Sequence, residues 1–311
     1  MQPDGLPPWA KAESTVTTAD ESGMVARRAY QRPRVKPTAM VGTETIEELA
    51  GRVPDGASVA LAPDYSGCAV AVVRALIRRG ARDLHLIGVP QLGFQADLLI
   101  GAGCVRGLEA AAVTLGEEGA APRFVAAIKA GTIEIRDSTC PAIHAGLHAA
   151  EKGLPFMPLR GVLGSDLVRH RPDWQIIDNP FAEDDPILLV PAIRPDVALF
   201  HAALADGQGN VWIGVRRELM RMAHAARITL VSVEEIIDDD LLADDRTAAG
   251  TVPALYVTAI AEARRGAWPV GLRHCYPADR EHLRRYAGLA RSNTGFARYL
   301  DELMLESVAA E

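Results

Sequence analysis

The chain has 311 residues, of which 49% are hydrophobic and only 5% aromatic, and it carries a formal charge of −7. That length and apolar content suit one large α/β domain with an appendage or two small domains, and scarce aromatics among abundant Ala, Gly, Val and Leu favour helix-on-sheet packing. The negative balance argues against nucleic acid as a partner, since phosphate neutralisation needs a basic face, and no apolar run reaches the roughly 18 residues of a helical membrane span.

Residues 1–40 are rich in Pro, Thr, Ser and charge without an apolar period, so an extended or disordered arm is expected there, followed by one folded domain over 41–311. TETIEELAGRV then offers an N-cap, acidic residues in a first turn and an apolar stripe through Ile46, Leu49 and Val53. The pattern next alternates: strand SVALA (58–62), helix 68–80, strand DLHLIG (83–88), a helix near 93–101, and short strands around 104–108 and 132–135. This is βαβ punctuation. A helix through 144–153, strand-like ILLVPA (187–192), a helix over about 216–226, strand ITLVSV (228–233) and a charged helical region at 279–306 complete the series. Runs such as ASVALA and RITLVSV, apolar on both faces, are what a mainly parallel sheet with helices on both faces requires.

Within this series, DVALFHAALADGQGNVWIG (196–214) places His201 in an apolar strand that runs into a turn and resumes as a second strand. Asp206 can accept hydrogen bonds from the backbone that follows it, and Gly207, Gly209 and Asn210 tolerate positive φ. Taken alone, His201 reads as a satisfied core histidine. The strand-to-helix turn at Ser66, Gly67 and Cys68 offers amides for an anion or oxyanion, without a G-x-G-x-x-G or Walker pattern. Glu109 ends an apolar strand and reads as either a base or a solvated strand end. LPFMPLRGVLGSDL (154–167) reads as an ordered loop with Arg160, Ser165 and Asp166 as its polar groups.

Cys68, Cys104, Cys140 and Cys275 lie far apart with no zinc-type spacing, so no metal site is expected and the thiols read as reduced, as in the cytoplasm. The chain lacks G-x-S-x-G and H-E-x-x-H, and spacing alone yields no complete catalytic set.

Nine segments in one order resemble the A (alpha) subunit of the family I CoA-transferases, of the glutaconate CoA-transferase type. They are D-L-H-L-I-G at 83–88, A-D-L-L-I-G-A-G-C-V at 96–105, G-T-I-E-I at 131–135, G-L-P-F-M-P-L-R-G-V-L-G-S-D-L at 153–167, N-P-F at 179–181, L-V-P-A-I-R-P-D-V-A at 189–198, H-A-A-L-A-D-G-Q-G-N at 201–210, A-A-R-I-T-L-V-S-V-E-E-I at 225–236, and a tail with Gly271, Tyr276 and Asp279. The resemblance implies a CoA-transferase-like fold and transfer of CoA between carboxylic acids through a glutamate nucleophile carried by a separate B subunit. Coenzyme A would then be a substrate, with an acyl-CoA and a carboxylic acid as ligands, and no further cofactor. It implies no catalytic nucleophile in this chain, whose Glu234 and Glu235 fall in the A-subunit pattern V-E-E-I. Ser66, Gly67, Gly93, Phe94, Arg160 and Gly161 become candidate substrate-binding residues, and His201, Asp206 and Asn210 supports of the cleft floor. A related branch of ring-opening hydrolases carries an acidic residue near the position held here by Cys140. That branch, and a non-catalytic ligand-binding protein of the same fold, are the alternatives.

Overall fold

The computed structural model describes residues 43–306, so the arm expected at 1–40 lies outside the described residues. The first elements are β1 (Thr43–Glu44), α1 (Ile46–Gly51), β2 (Ser58–Leu61), α2 (Val70–Arg78), β3 (Leu84–Gly88), α3 (Phe94–Gly101), β4 (Val105–Ala110), α4 (Pro122–Ala130), β5 (Glu134–Asp137) and α5 (Cys140–Glu151). Then come β6 (Phe156–Leu159), β7 (Gln175–Asp178) and β8 (Pro186–Pro191). The chain continues through β9 (Val197–Asp206), β10 (Val211–Trp212), α6 (Arg217–Ala225), β11 (Ile228–Ile237), α7 (Asp245–Ala248), β12 (Thr251–Val252), β13 (Ala259–Glu262), α8 (Arg280–Leu289) and α9 (Asn293–Glu306).

The main sheet runs β1-β13-β11-β9-β2-β3-β4-β5, and every pairing along that path is parallel. Strand alternation divides the core between two faces. Val59 and Leu61 of β2 join the cluster under α1 to α4, α8 and α9, whereas Ala60 and Ala62 join the one under α5 and α6. The fold is therefore the expected mainly parallel sheet with helices on both faces. Thr45 caps α1 in a box with Glu48, each reaching the other's backbone amide, which closes two helix-end donors.

Three expectations need correction. The segment read as a loop at 154–167 begins with strand β6, which forms a separate antiparallel sheet in the order β6-β8-β7 around Val162, Trp174, Leu188 and Val190. Its two-residue apolar runs, Phe156–Met157 and Ile176–Ile177, are too short to announce strands. The helix expected from Cys68 starts at Val70. In the turn after β9 only Gly209 takes a positive φ, of 91°, while Gly207 does not.

Candidate active site

From β2 the chain winds outward through β3, β4 and β5; from β9 it winds the other way through β11 and β13. The boundary between β2 and β9 is thus the point where strand order reverses, and the crevice past the strand ends there is where such sheets hold ligands. The first cleft opens at that point. It is lined by Tyr65, Ser66 and Gly67 after β2, by His201 to Ala203 of β9, by Trp212 to Arg216, and by Leu272 to His274.

Gly67 is needed where it stands. Its φ is +89° and a Cβ would run into the His201 carbonyl, while the His201 amide donates to the Gly67 carbonyl at 2.8 Å. The loop after β2 is so clamped to β9. Ser66 donates its hydroxyl to Glu218 of α6. Cys68, expected as part of the anion site, is fully buried with Sγ against the Ala62 carbonyl at 3.5 Å, because the turn folds inward before α2 begins.

The cleft floor is a chain of polar groups. His201, fully buried, shares Nδ1 with the Ser232 hydroxyl at 2.8 Å and places Nε2 at 2.7 Å from Glu234 Oε1. Glu234 Oε1 also accepts from the Tyr276 hydroxyl at 2.7 Å, and Oε2 from the Arg265 amide at 2.7 Å. Burial alone would raise the Glu234 carboxyl, but hydrogen bonds from His201, Arg265 and Tyr276 outweigh it and hold the group below its usual range. Burial, then the neighbouring carboxylate, pushes the Tyr276 phenol well up, so it stays a donor. With Glu234 ionised, His201 Nε2 carries the proton that Glu234 accepts. The register of β9 against β11 sets Ser232 beside His201, which is why these groups meet.

Asp206 and Asn210 lock the hairpin. Asp206 Oδ1 accepts from the Gln208 and Asn210 amides, each at 2.9 Å, and Oδ2 from the Asn210 side chain and the Leu241 amide. Asn210 Oδ1 accepts from the Ala254 amide at 2.9 Å. Both side chains are buried, and their work is to hold the loops behind the cleft.

Gly93 lines a second cleft of about 370 Å³ with Asp64, Glu117, Glu118 and Arg280, whereas Phe94, next to it, is fully buried in the core against Tyr286. The amide that opens α3 is not free for a ligand: Phe94 donates it to Asp64, at 3.0 and 3.1 Å to the two oxygens. A Cβ on Gly93 would strike that carboxylate. Burial raises the Asp64 carboxyl to about 6, and the Phe94 amide only partly offsets it.

Arg160 lies elsewhere, lining with Phe156, Ile177 and Phe181 a groove of about 600 Å³ on the three-stranded sheet, where it pairs with Asp185; Gly161 follows it in the chain. The six candidate substrate-binding residues therefore fall into three places, and only Ser66 and Gly67 share a cleft with His201. Glu109 is not a solvated strand end. It is 6% exposed and paired at 2.8 Å with buried Arg171, which also grips Asp173 and stacks on Trp174, tying the parallel sheet to the three-stranded one. Burial pushes the Glu109 carboxyl up, and Arg171 pulls it back only in part. Ser165 and Asp166 open a short 3₁₀ turn, with Asp166 paired to Arg169. Cys140 is exposed at the first turn of α5.

Sequence reasoning missed Ser232, Tyr276 and the pairing of Glu234. Ser232 and Glu234 alternate at the end of the apolar run Leu230–Val233, which puts both on the face that carries His201 in the neighbouring strand; that spacing was the available signal. Arg216 and Arg273 at the cleft mouth had no sequence signal, because two loops 57 residues apart in the chain bring them there.

Residues 43–263 match the family model described as Coenzyme A transferase. The A-type chain of the 3-oxoadipate CoA-transferase of Pseudomonas knackmussii is 34% identical over 83% of this chain and 92% of that protein. The crystal structure of glutaconate coenzyme A-transferase from Acidaminococcus fermentans superposes with a TM-score of 0.78 at 28% identity, covering 85% of this chain and 89% of that one. A cholesterol ring-cleaving hydrolase subunit of Mycobacterium tuberculosis is 31% identical over 74% of this chain and 82% of its own length. Among the described residues no helix is long and apolar enough to cross a membrane.

Proposed function

The chain belongs to the coenzyme A transferase family as an A-type subunit, and on that premise we propose that it moves CoA between carboxylic acids only together with a B-type subunit that brings the nucleophilic glutamate. One observation carries this reading: the carboxylates around the clefts are already engaged. Both Glu234 oxygens accept hydrogen bonds, Glu218 takes the Ser66 hydroxyl, Glu109 is paired with Arg171, and Glu117 and Glu118 are paired with Arg280 and Arg284. A carboxylate so held is a poor nucleophile, because attack on a thioester would first break those bonds.

The first cleft is also half a site. Its own walls enclose about 30 Å³, roughly the volume share of one water, whereas pockets that bury a small ligand run to about 300–1,000 Å³. A CoA thioester there needs walls from another chain.

In this reading the chain's residues shape and polarise the site. Gly67 and Ser66 hold the loop after β2 against β9, and the Glu234 network fixes the floor beneath the reacting acyl group. The partner's glutamate would exchange with the acyl-CoA through an anhydride and a glutamyl-CoA thioester, which splits one difficult acyl exchange into easier steps. The hydrolase relative makes ring-opening hydrolysis the competing reading, and the transferase relative aligns with a larger share of its own length. The test is to copurify the chain with its B-type partner and follow acyl-CoA exchange against release of free CoA. Exchange that needs an acceptor acid supports transfer. CoA release without an acceptor would replace it with hydrolysis.

A further inference from the structure

We propose that Tyr65 sets the length of acyl chain this site accepts, by standing as the partition between the first cleft and the second. This rests on the reading of the first cleft as an acyl-CoA site and adds to it the residue that bounds the acyl tail.

Among the described residues Tyr65 alone lines both clefts, and two segments of chain pass from one cleft to the other. In the loop after β2, Asp64 faces the second cleft and Ser66 and Gly67 the first; in the tail, Val270 and Gly271 line the second and Leu272 to His274 the first. The clefts are therefore neighbours, and the Tyr65 side chain stands at their boundary. The loop that carries it is pinned on both sides: Asp64 takes the Phe94 amide, Ser66 donates to Glu218, and Gly67 is clamped to His201. The ring is held too, under the Arg216 guanidinium at 5.3 Å and with its hydroxyl hydrogen-bonded to Gln91. It is 50% exposed, so core packing does not require an aromatic residue there. The first cleft encloses about 30 Å³ and the second about 370 Å³. An acyl group over the floor of the first thus has little room for its tail on its own side, and Tyr65 bars the larger space beyond. That space suits chain carbons: Leu92, Leu115, Val270 and Leu283 line it, while Glu117 and Glu118 are already paired with arginines. Each methylene buried there would be worth about 4-fold in binding.

For the chain in complex with its B-type partner, kcat/KM is measured with butanoyl-, hexanoyl- and octanoyl-CoA for wild type, Tyr65→Phe and Tyr65→Ala. Wild type and Tyr65→Phe are expected to fall at least about 10-fold from butanoyl- to octanoyl-CoA, because a filled pocket rejects added methylenes. Tyr65→Ala, which joins the clefts, is expected to raise the octanoyl-to-butanoyl ratio at least about 10-fold over wild type. Equal losses by Tyr65→Ala at all three lengths, the mark of a merely structural role, would overturn the assignment. So would a wild type that takes all three alike, or a Tyr65→Phe profile that matches Tyr65→Ala, since the ring would then not be the bar. Calorimetric binding of butanoate and octanoate to the same complexes reads the partition whatever reaction is catalysed. Octanoate bound about 10-fold more tightly by Tyr65→Ala than by wild type, in a complex that transfers nothing, upholds Tyr65 and sinks the transferase reading. Unchanged octanoate binding in an active complex sinks Tyr65 alone.

Discussion

The floor and the mouth of the first cleft are built on opposite plans. On the floor, Ser232, His201, Glu234, Tyr276 and the Arg265 amide form a closed set in which donors meet acceptors at 2.7–2.8 Å. At the mouth, Arg216 and Arg273 carry charge with no carboxylate opposite, on loops that follow β10 and β13. Buried polar groups are costly unless matched, so the fold settles the floor by itself. Arg216, half-buried over Tyr65, and Arg273 are instead left without a carboxylate partner. The difference separates groups that hold one another in place from groups left without a matching charge.

The largest effect that would break this division is Glu234→Ala. It strips the acceptor from buried His201 and from Tyr276 and should cost about 2–4 kcal/mol of stability in the chain alone, read by urea unfolding. A stable Glu234→Ala chain that had lost only activity would move Glu234 from scaffold to chemistry. Arg216→Gln, at a half-buried side chain stacked on Tyr65, should cost less, about 1 kcal/mol by the same unfolding measurement.

Asp64 sharpens the comparison through pH. It opens on the second cleft, so only part of its burial cost is felt. Its carboxyl, near 3.8 when unfolded, is raised to about 6 in the fold. A raised carboxyl favours folding while protonated, and that contribution is lost as pH rises through about 6. Asp64→Asn should therefore stabilise the chain at pH 8 by about 1–2 kcal/mol, allowing for solvent access, and leave it unchanged near pH 4. Melting curves at the two pH values check this. An equal shift at both would mean that the carboxylate charge is not what is costly.

The smallest expected effect is that of Arg160→Ala. Its ion pair with Asp185 is exposed on the three-stranded sheet. Loss of under about 0.5 kcal/mol and unchanged transfer are expected. A drop in transfer would return Arg160 to the site and enlarge the mouth to include the three-stranded sheet.

These contrasts also explain what was legible in the sequence. The parallel sheet was readable because strands buried on both faces, such as β2 and β11, write long apolar runs. The hairpin after β9 was readable because Asp206 and Asn210 act within five residues of each other. The floor was half readable: His201 stood out, but its partners depend on the β9–β11 register and on a tail residue, Tyr276, 75 positions on. Burial of Glu109 was hidden for the same reason, since Arg171 comes from a segment 62 residues away. Gly93 and Phe94 were placed at a helix start correctly, yet no local pattern shows that Asp64 already takes the amide there.

The central claim is that this chain frames the reaction and a partner performs it. The most direct test incubates the copurified pair with acyl-CoA, traps covalent intermediates and locates any CoA adduct by peptide mass spectrometry. The account predicts a glutamyl-CoA thioester on the partner and none on this chain, with no acyl exchange by this chain alone. A thioester on Glu109, Glu234 or Glu235, or exchange by the isolated chain, would contradict it.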